Sequence, residues 1–235
     1  MRAFLAGRAV LADRDAARLT VLVMTGVTAM TRMTAFKMEA YNDDAYPAHK
    51  IAPVLSAADI THVSNEIPFV PACLVNPDPD NLIFCSKPEY MATLKEIGTD
   101  VVGLTGNHMN DYGHEALIAS LDYYEQQGLR YYAAGRNAAE ANKALLVEDH
   151  GNRLAFLGTN QYGPPSNWAG EDTPGSARYD LARMTAQIAE ARQNGRADVV
   201  LVELQWEESY EAQPLSDQKE GFGALSQAGA DIVTG

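Results

Sequence analysis

Gly106-Asn107-His108-Met109-Asn110-Asp111-Tyr112-Gly113 gathers an amide, an imidazole and a carboxylate directly after the apolar run Val101-Val102-Gly103-Leu104. An imidazole held beside Asn107 and Asp111 can be fixed in one tautomer and can titrate near neutral pH, which suits it to moving a proton. Oxygen atoms of the same turn can also hold a metal ion. The plainer alternative is that Asn and Asp are good turn residues and that His108 makes one satisfied hydrogen bond. The other histidines lack such company. His62 lies within a strand, His114 opens a helix, His150 sits in a hairpin turn and His49 stands in a polar stretch.

The elements that must position this turn follow from periodicity. Strands are expected over Leu19 to Met24, Asp59 to Val63, Val101 to Leu104, Arg130 to Ala133 and Val199 to Leu204, with one more beginning at Ile232-Val233. Helices are expected over Tyr46 to Ala57, from Ser86 as N-cap to Ile97, over His114 to Gln127, after Asp180, and over Ser216 to Gln227. A hairpin turns at Asp149-His150-Gly151-Asn152. Gly163 to Gly175 is a loop long enough to cover something. Asp59, Asp100, Asp198 and Asp231 each stand at the entry to a β-branched strand just after a helix, so the sheet is built from repeated crossover units. In a parallel sheet the strand exits converge on one edge. Those exits read Thr25-Gly26-Val27-Thr28, Ser64-Asn65-Glu66, Gly106-Asn107-His108 and Glu203-Leu204-Gln205-Trp206-Glu207.

With 18 Lys plus Arg against 31 Asp plus Glu, the 235-residue chain carries a net charge of −13. Such a field repels nucleic acid and anionic membrane surfaces, so nucleic-acid binding is excluded as a working class. No apolar stretch approaches the ~20 residues that span a bilayer, and Met1 to Leu11 lacks the apolar core of a signal peptide. Cys73 and Cys85 flank a Pro/Asp-rich loop that packing alone does not hold. A disulfide closing it would contribute ~3 kcal/mol and would imply an oxidising, extracytoplasmic compartment. Two unrelated reduced thiols are the alternative.

The order of these exits, Asn65-Glu66, then Asn107-His108 with Asp111-Tyr112-Gly113, then Gln205-Trp206 with Tyr210, then Ala228 to Val233, resembles the CapA family of capsule-synthesis and poly-γ-glutamate-biosynthesis proteins. The match runs from about Leu19 to Gly235, after an N-terminal extension over residues 1–18. The resemblance implies an α/β metallophosphatase-like β-sandwich flanked by helices, a cell-envelope setting, and a divalent metal such as Mn, Zn or Fe. It would place Glu66 and Asn107 at metal-ligand positions and His108 at the general-acid position. Asp111 and Asn65 would support them, and Gln205, Trp206, Glu203 and Tyr210 would stand nearby. Two exits depart from the family pattern: Val27 stands where a carboxylate is usual, and Gln205 where an imidazole is usual. The family also continues beyond the point matching Gly235, so the chain reads as a fragment. Two functions are therefore expected in competition. One is a metal-dependent hydrolase or transferase acting on a phosphate ester or γ-linked polyglutamate. The other is a non-catalytic surface protein that binds an anionic polymer in the same cleft.

Overall fold

Residues 15–235 are described in the computed structural model. The segment weighed as a signal peptide, and most of the expected N-terminal extension, lie outside the described residues. The first half of the chain alternates β1 (Leu22–Val27), α1 (Arg32–Tyr41), α2 (Ala52–Leu55), β2 (Ile60–Ser64), α3 (Met91–Glu96), β3 (Val101–Gly103), α4 (Gly113–Gln126) and β4 (Arg130–Tyr132). The second half carries β5 (Ala134–Gly135), α5 (Ala138–Ala141), β6 (Leu145–Asp149), β7 (Asn152–Asn160), β8 (Gly175–Ser176), α6 (Leu181–Arg192), β9 (Val199–Gln205), α7 (Ser216–Gln227) and β10 (Ile232–Thr234).

Two four-stranded sheets result. One has the order β1-β2-β3-β4 and is parallel throughout. The other has the order β10-β9-β7-β6 and is parallel except for the β6–β7 hairpin. Their inner faces meet on Ile60, Val101, Tyr132, Leu154, Phe156 and Leu201. Met38, Leu94, Leu117 and Leu121 bury the outer face of the first sheet, while Met184, Ile188 and Leu225 bury that of the second. Side-chain alternation decides who faces whom. Along β9, Val200, Val202 and Leu204 join the helix-side core, whereas Leu201 joins the core between the sheets. The outcome is the expected helix-flanked sandwich.

The four strand-entry aspartates have a shared structural job. The carboxylate of Asp59 accepts from Val21 N at 2.8 Å, Asp100 from Thr61 N at 2.8 Å, Asp198 from Arg153 N at 3.0 Å and Asp231 from Val200 N at 2.7 Å. The same four residues donate their own N–H to the carbonyls of Val21, Thr61, Arg153 and Val200. Each aspartate thus grips one residue of the neighbouring strand at two points and sets the parallel register before the ladder begins.

Several expected elements shift. The first strand starts and ends three residues later, so Thr25, Gly26 and Val27 belong to it. Instead of a helix over Tyr46 to Ala57, successive turns lead into the four residues of α2. Helix α1 was not expected, because its apolar residues spread around it: Ala35 and Met38 are buried while Met33, Phe36 and Tyr41 are exposed. Ser86 does not cap a helix; its hydroxyl donates to Met30 O at 2.9 Å, and the helix begins after a 3-10 turn at Pro88–Tyr90. Cys73 and Cys85 are joined in a disulfide with Cα atoms 5.8 Å apart.

Two outcomes follow from these ties. Asp100→Ala, which removes the carboxylate acceptor of Thr61 N from a half-buried strand entry, should lower the free energy of unfolding by about 1–3 kcal/mol. Urea titration checks it: the midpoint falls while the slope is unchanged. Reducing Cys73–Cys85 should cost about 3 kcal/mol, and intact-mass analysis of unreduced, alkylated protein should find no alkylated thiol.

A candidate site at the strand exits

The turn after β3 is anchored by close approach. A Cβ added at Gly106 would lie 2.1 Å from Glu66 Cβ and 2.5 Å from Glu66 Cα. Only glycine lets the chain pass there, and its passage brings the Asn107-His108 turn against Glu66. His108 Nδ1 and Asp111 Oδ2 are 2.7 Å apart. Asp111 Oδ2 also accepts from the backbone N–H of Phe84 at 2.7 Å, and the Phe84 ring lies 4.3 Å from the His108 ring, centroid to centroid. The imidazole is therefore held at Nδ1 and packed against the Phe84 ring, and Nε2 makes no hydrogen bond among the described residues.

Charge in this cluster is tuned by burial and by neighbours. Burial works against the charged form of His108. The Asp111 hydrogen bond and the negative fields of Asp111, Glu66 and Glu208 outweigh it, so the imidazole titrates above its ordinary value of 6.5. Burial also lifts the Glu66 carboxyl above its usual range; His108 pulls it down, and Glu208 and Asp111 push it up. Each group feels the other, so Glu66 and His108 share one electrostatic environment. Glu66 lines a cleft of about 420 Å³ together with Thr31, Arg32, Pro77, Pro79 and Phe84. Among the described residues nothing donates a hydrogen bond to its carboxylate.

The loop from Gly163 to Gly175 does cover something. Asn167 donates its side-chain amide to Asn107 O, and Asn110 donates to Ser166 O at 2.7 Å, so the loop is pinned to the turn after β3. Trp168 Nε1 reaches Asn160 Oδ1 at 3.3 Å, and Asn160 Nδ2 donates to Thr105 O at 2.8 Å. Asn160 escaped notice in the sequence, although it ends an apolar strand as the other exits do. Glu208 was missed as well; its signal was the acidic pair Glu207-Glu208 just past the exit of β9.

Glu203 faces the interior. Its carboxylate accepts from Tyr132 Oη at 2.5 Å and Thr105 Oγ1 at 3.2 Å, and it lies 3.2 Å from His62 Nε2. His62 Nε2 also meets Tyr132 Oη at 2.9 Å. Burial alone would raise the Glu203 carboxyl, but hydrogen bonds with His62, Ser64 and Tyr132 hold it below its usual range. Gly103 leaves room for this carboxylate, since a Cβ there would fall 1.9 Å from Glu203 Oε2. Glu203, Ser64, Thr105 and Gln205 line a recess of about 180 Å³ whose rim includes Gly26 and Val27.

The remaining expected site residues disperse. Asn65 is fully buried and donates to Ile67 O at 3.2 Å and Tyr124 Oη at 2.5 Å, so it braces the turn from behind. Trp206 packs edge-on against Tyr179 and Phe222 in the helix layer. Tyr210 is fully exposed on the following loop. Of the two expected metal ligands, Glu66 lines the cleft and offers a carboxylate without a hydrogen-bond donor among the described residues, while Asn107 could add only an amide oxygen, a donor type that suits a hard divalent ion. Val27 offers no donor, and Gln205 only an amide. The one trio of His, Asp and Glu ligand atoms that converges among the described residues, Asp59, Asp149 and His150, sits at the strand entries, at the far end of the sheets.

A family model described as bacterial capsule synthesis protein PGA_cap matches residues 21–235. The capsule biosynthesis protein CapA of Bacillus anthracis is 28% identical over 226 residues, covering 94% of this chain and 54% of its own length. The PGA biosynthesis protein CapA of Bacillus subtilis (strain 168) is 30% identical over 148 residues, covering 63% of this chain and 38% of its own. A probable polyglutamine synthesis accessory protein of Mycobacterium tuberculosis (strain ATCC 25618 / H37Rv) is 24% identical over 159 residues, with 63% and 41% covered. The chain spans about half the length, or less, of these relatives.

The raised affinity of His108 for its proton has a measurable sign. Because the folded state holds that proton more tightly than the unfolded chain, the stability it contributes is complete below pH 6.5 and is lost as pH rises through the folded-state value. NMR titration of the His108 ring should find a midpoint above 6.5. Asp111→Asn should move that midpoint downward, since burial then acts with less opposition. A wild-type midpoint at or below the ordinary value contradicts the assignment.

Proposed function

The chain belongs to the bacterial capsule synthesis protein PGA_cap family, and from that premise we propose that its cleft serves the synthesis or processing of an anionic envelope polymer. The chemistry we assign is hydrolysis or transfer at a γ-linked glutamyl bond or a phosphate ester. The observation that carries this reading is the His108–Asp111 pair, in which Nδ1 is engaged at 2.7 Å and Nε2 is left for substrate.

In this reading Asp111 orients the imidazole and stabilises its protonated form, while the Phe84 N–H keeps Asp111 from swinging away. His108, which holds its proton more tightly than a free imidazole because Asp111, Glu66 and Glu208 face it, gives that proton from Nε2 to the leaving group. The Phe84 ring packs against that imidazole, with the ring centroids 4.3 Å apart. Glu66 and Asn107 are the residues that would hold a divalent ion, Mn more readily than Zn or Fe on oxygen donors. Such an ion, when bound, supplies Lewis-acid polarisation of the scissile carbonyl or phosphoryl group. The Ser166-Asn167 segment holds the turn still from above.

The Cys73–Cys85 disulfide supports an extracytoplasmic setting, since such bonds persist in oxidising compartments. No helix among the described residues is long and apolar enough to cross a membrane. A second reading, a non-catalytic binder of the same polymer, is favoured by Val27 and Gln205, which supply neither carboxylate nor imidazole to the site.

The two readings separate on one variant. In the full-length protein supplied with Mn²⁺, His108→Ala should lower turnover of a γ-glutamyl oligomer or aryl phosphate by about 10²–10⁴-fold, with the melting temperature essentially unchanged. Equal turnover in the variant and the wild type removes His108 from the chemistry and leaves the binding reading.

A further inference from the structure

The cleft that Glu66 lines also carries an arginine, Arg32. Arg32 opens α1 and lines the cleft opposite the disulfide-tied loop, from which Pro77, Pro79 and Phe84 project. Its guanidinium carbon lies 5.3 Å from the centroid of the Phe84 ring, the ring that also packs on His108. Arg136, Arg153, Arg192 and Arg196 each pair with a carboxylate. Arg32, like Arg130, Arg178 and Arg183, has no such partner among the described residues, and of these it alone lines the cleft. Glu66 lines the same cavity, yet no ion pair joins the two. A positive and a negative group therefore face one cavity of about 420 Å³ without cancelling each other.

Arg32 also has a backbone φ of +49°, in the left-handed region that glycine adopts freely and branched or long residues avoid. A glycine would satisfy the backbone there, so the side chain is present despite the conformation. A guanidinium lying on an aromatic face keeps its planar edge available, and that edge matches a carboxylate or phosphate with paired N–H donors.

We propose that Arg32 is the specificity residue of this cleft, taking an oxyanion of the substrate, either a carboxylate of a γ-linked glutamyl chain or the phosphate of an ester. The assignment rests on the reading that the cleft beside His108 is the functional site. It extends that reading by stating how an acidic protein holds an acidic ligand. Arg32 neutralises one ligand charge locally, and Phe84 links the recognition group to the imidazole through a single ring.

The test uses equilibrium binding to the full-length protein by calorimetry, with a synthetic γ-linked glutamate oligomer and phenyl phosphate as separate probes. Arg32→Gly should weaken binding of the recognised probe by roughly 10- to 100-fold, the range expected for charge-assisted hydrogen bonds. Its melting temperature should hold or rise, because glycine suits the backbone, and a purely structural role for Arg32 would not give that combination. Arg32→Lys should recover only part of the affinity, since the charge returns without the fork. Arg130→Gln, at the entry end of β4, controls for net charge and should bind as the wild type does. Arg32-dependent binding of the oligomer alone assigns the carboxylate, and of phenyl phosphate alone assigns the phosphate. Wild-type affinity in Arg32→Gly, or no binding of either probe to the wild type, overturns the proposal. Arg32-dependent binding without any turnover would leave it standing and would overturn the catalytic reading instead.

Discussion

Parallel register is the constraint on which the rest of this molecule depends. Parallel strands lack the hairpin turn that aligns an antiparallel pair, so each crossover must find its neighbour after a long excursion. Here Asp59, Asp100, Asp198 and Asp231 settle the question at the strand entry, each gripping one neighbouring residue through both carboxylate and backbone N–H. A slip by one residue would turn every inward side chain outward. It would carry Leu201 out of the core between the sheets and bring Val200 and Val202 into it. With the entries level, the exits are level too, and the turns after β2, β3 and β9 arrive at one edge.

The second requirement is that the two sheets stay aligned to each other. Apolar contacts between Ile60, Val101, Phe156 and Leu201 resist separation but permit sliding. The hydrogen bonds of Glu203 with Tyr132 and Thr105 are directional, and they tie β9 in one sheet to β4 and the end of β3 in the other. A buried carboxylate adds little net stability, but displacing it from its donors is costly, so it selects one alignment over its neighbours. The exits of the two sheets are thereby held in fixed relation across the recess that Glu203 and Gln205 line.

Most of this frame was legible in the sequence because it rests on local rules. The Asp-then-β-branched phrase marked four strand entries, and Gly128 closed α4 with a φ of +73° as a glycine there should. Helix α1 was hidden because its apolar residues form no single face. The His108–Asp111 pair could be read from spacing, yet the Phe84 N–H that steadies it comes from a segment remote in sequence. The Glu203 cluster was hidden for a different reason. His62, Tyr132 and Glu203 each look like a lone polar residue in an apolar strand, and only the packing of one sheet on the other reveals that His62 Nε2, Tyr132 Oη and the Glu203 carboxylate meet. Trp206 and Tyr210 look alike as aromatic residues past a strand exit, and packing sends one into the helix layer and the other into solvent.

The two glycines of the third exit differ in what they leave open to evolutionary change. At Gly106 the obstacle is the Cα and Cβ of Glu66, atoms that nearly any residue would bring, so the requirement for glycine is independent of what position 66 carries. At Gly103 the obstacle is the tip of the Glu203 side chain. Replace Glu203 with something short and position 103 is released. Positions 103 and 203 are thus sterically coupled, so that a side chain becomes possible at 103 once 203 is shortened, whereas the glycine at 106 is required whatever stands at 203.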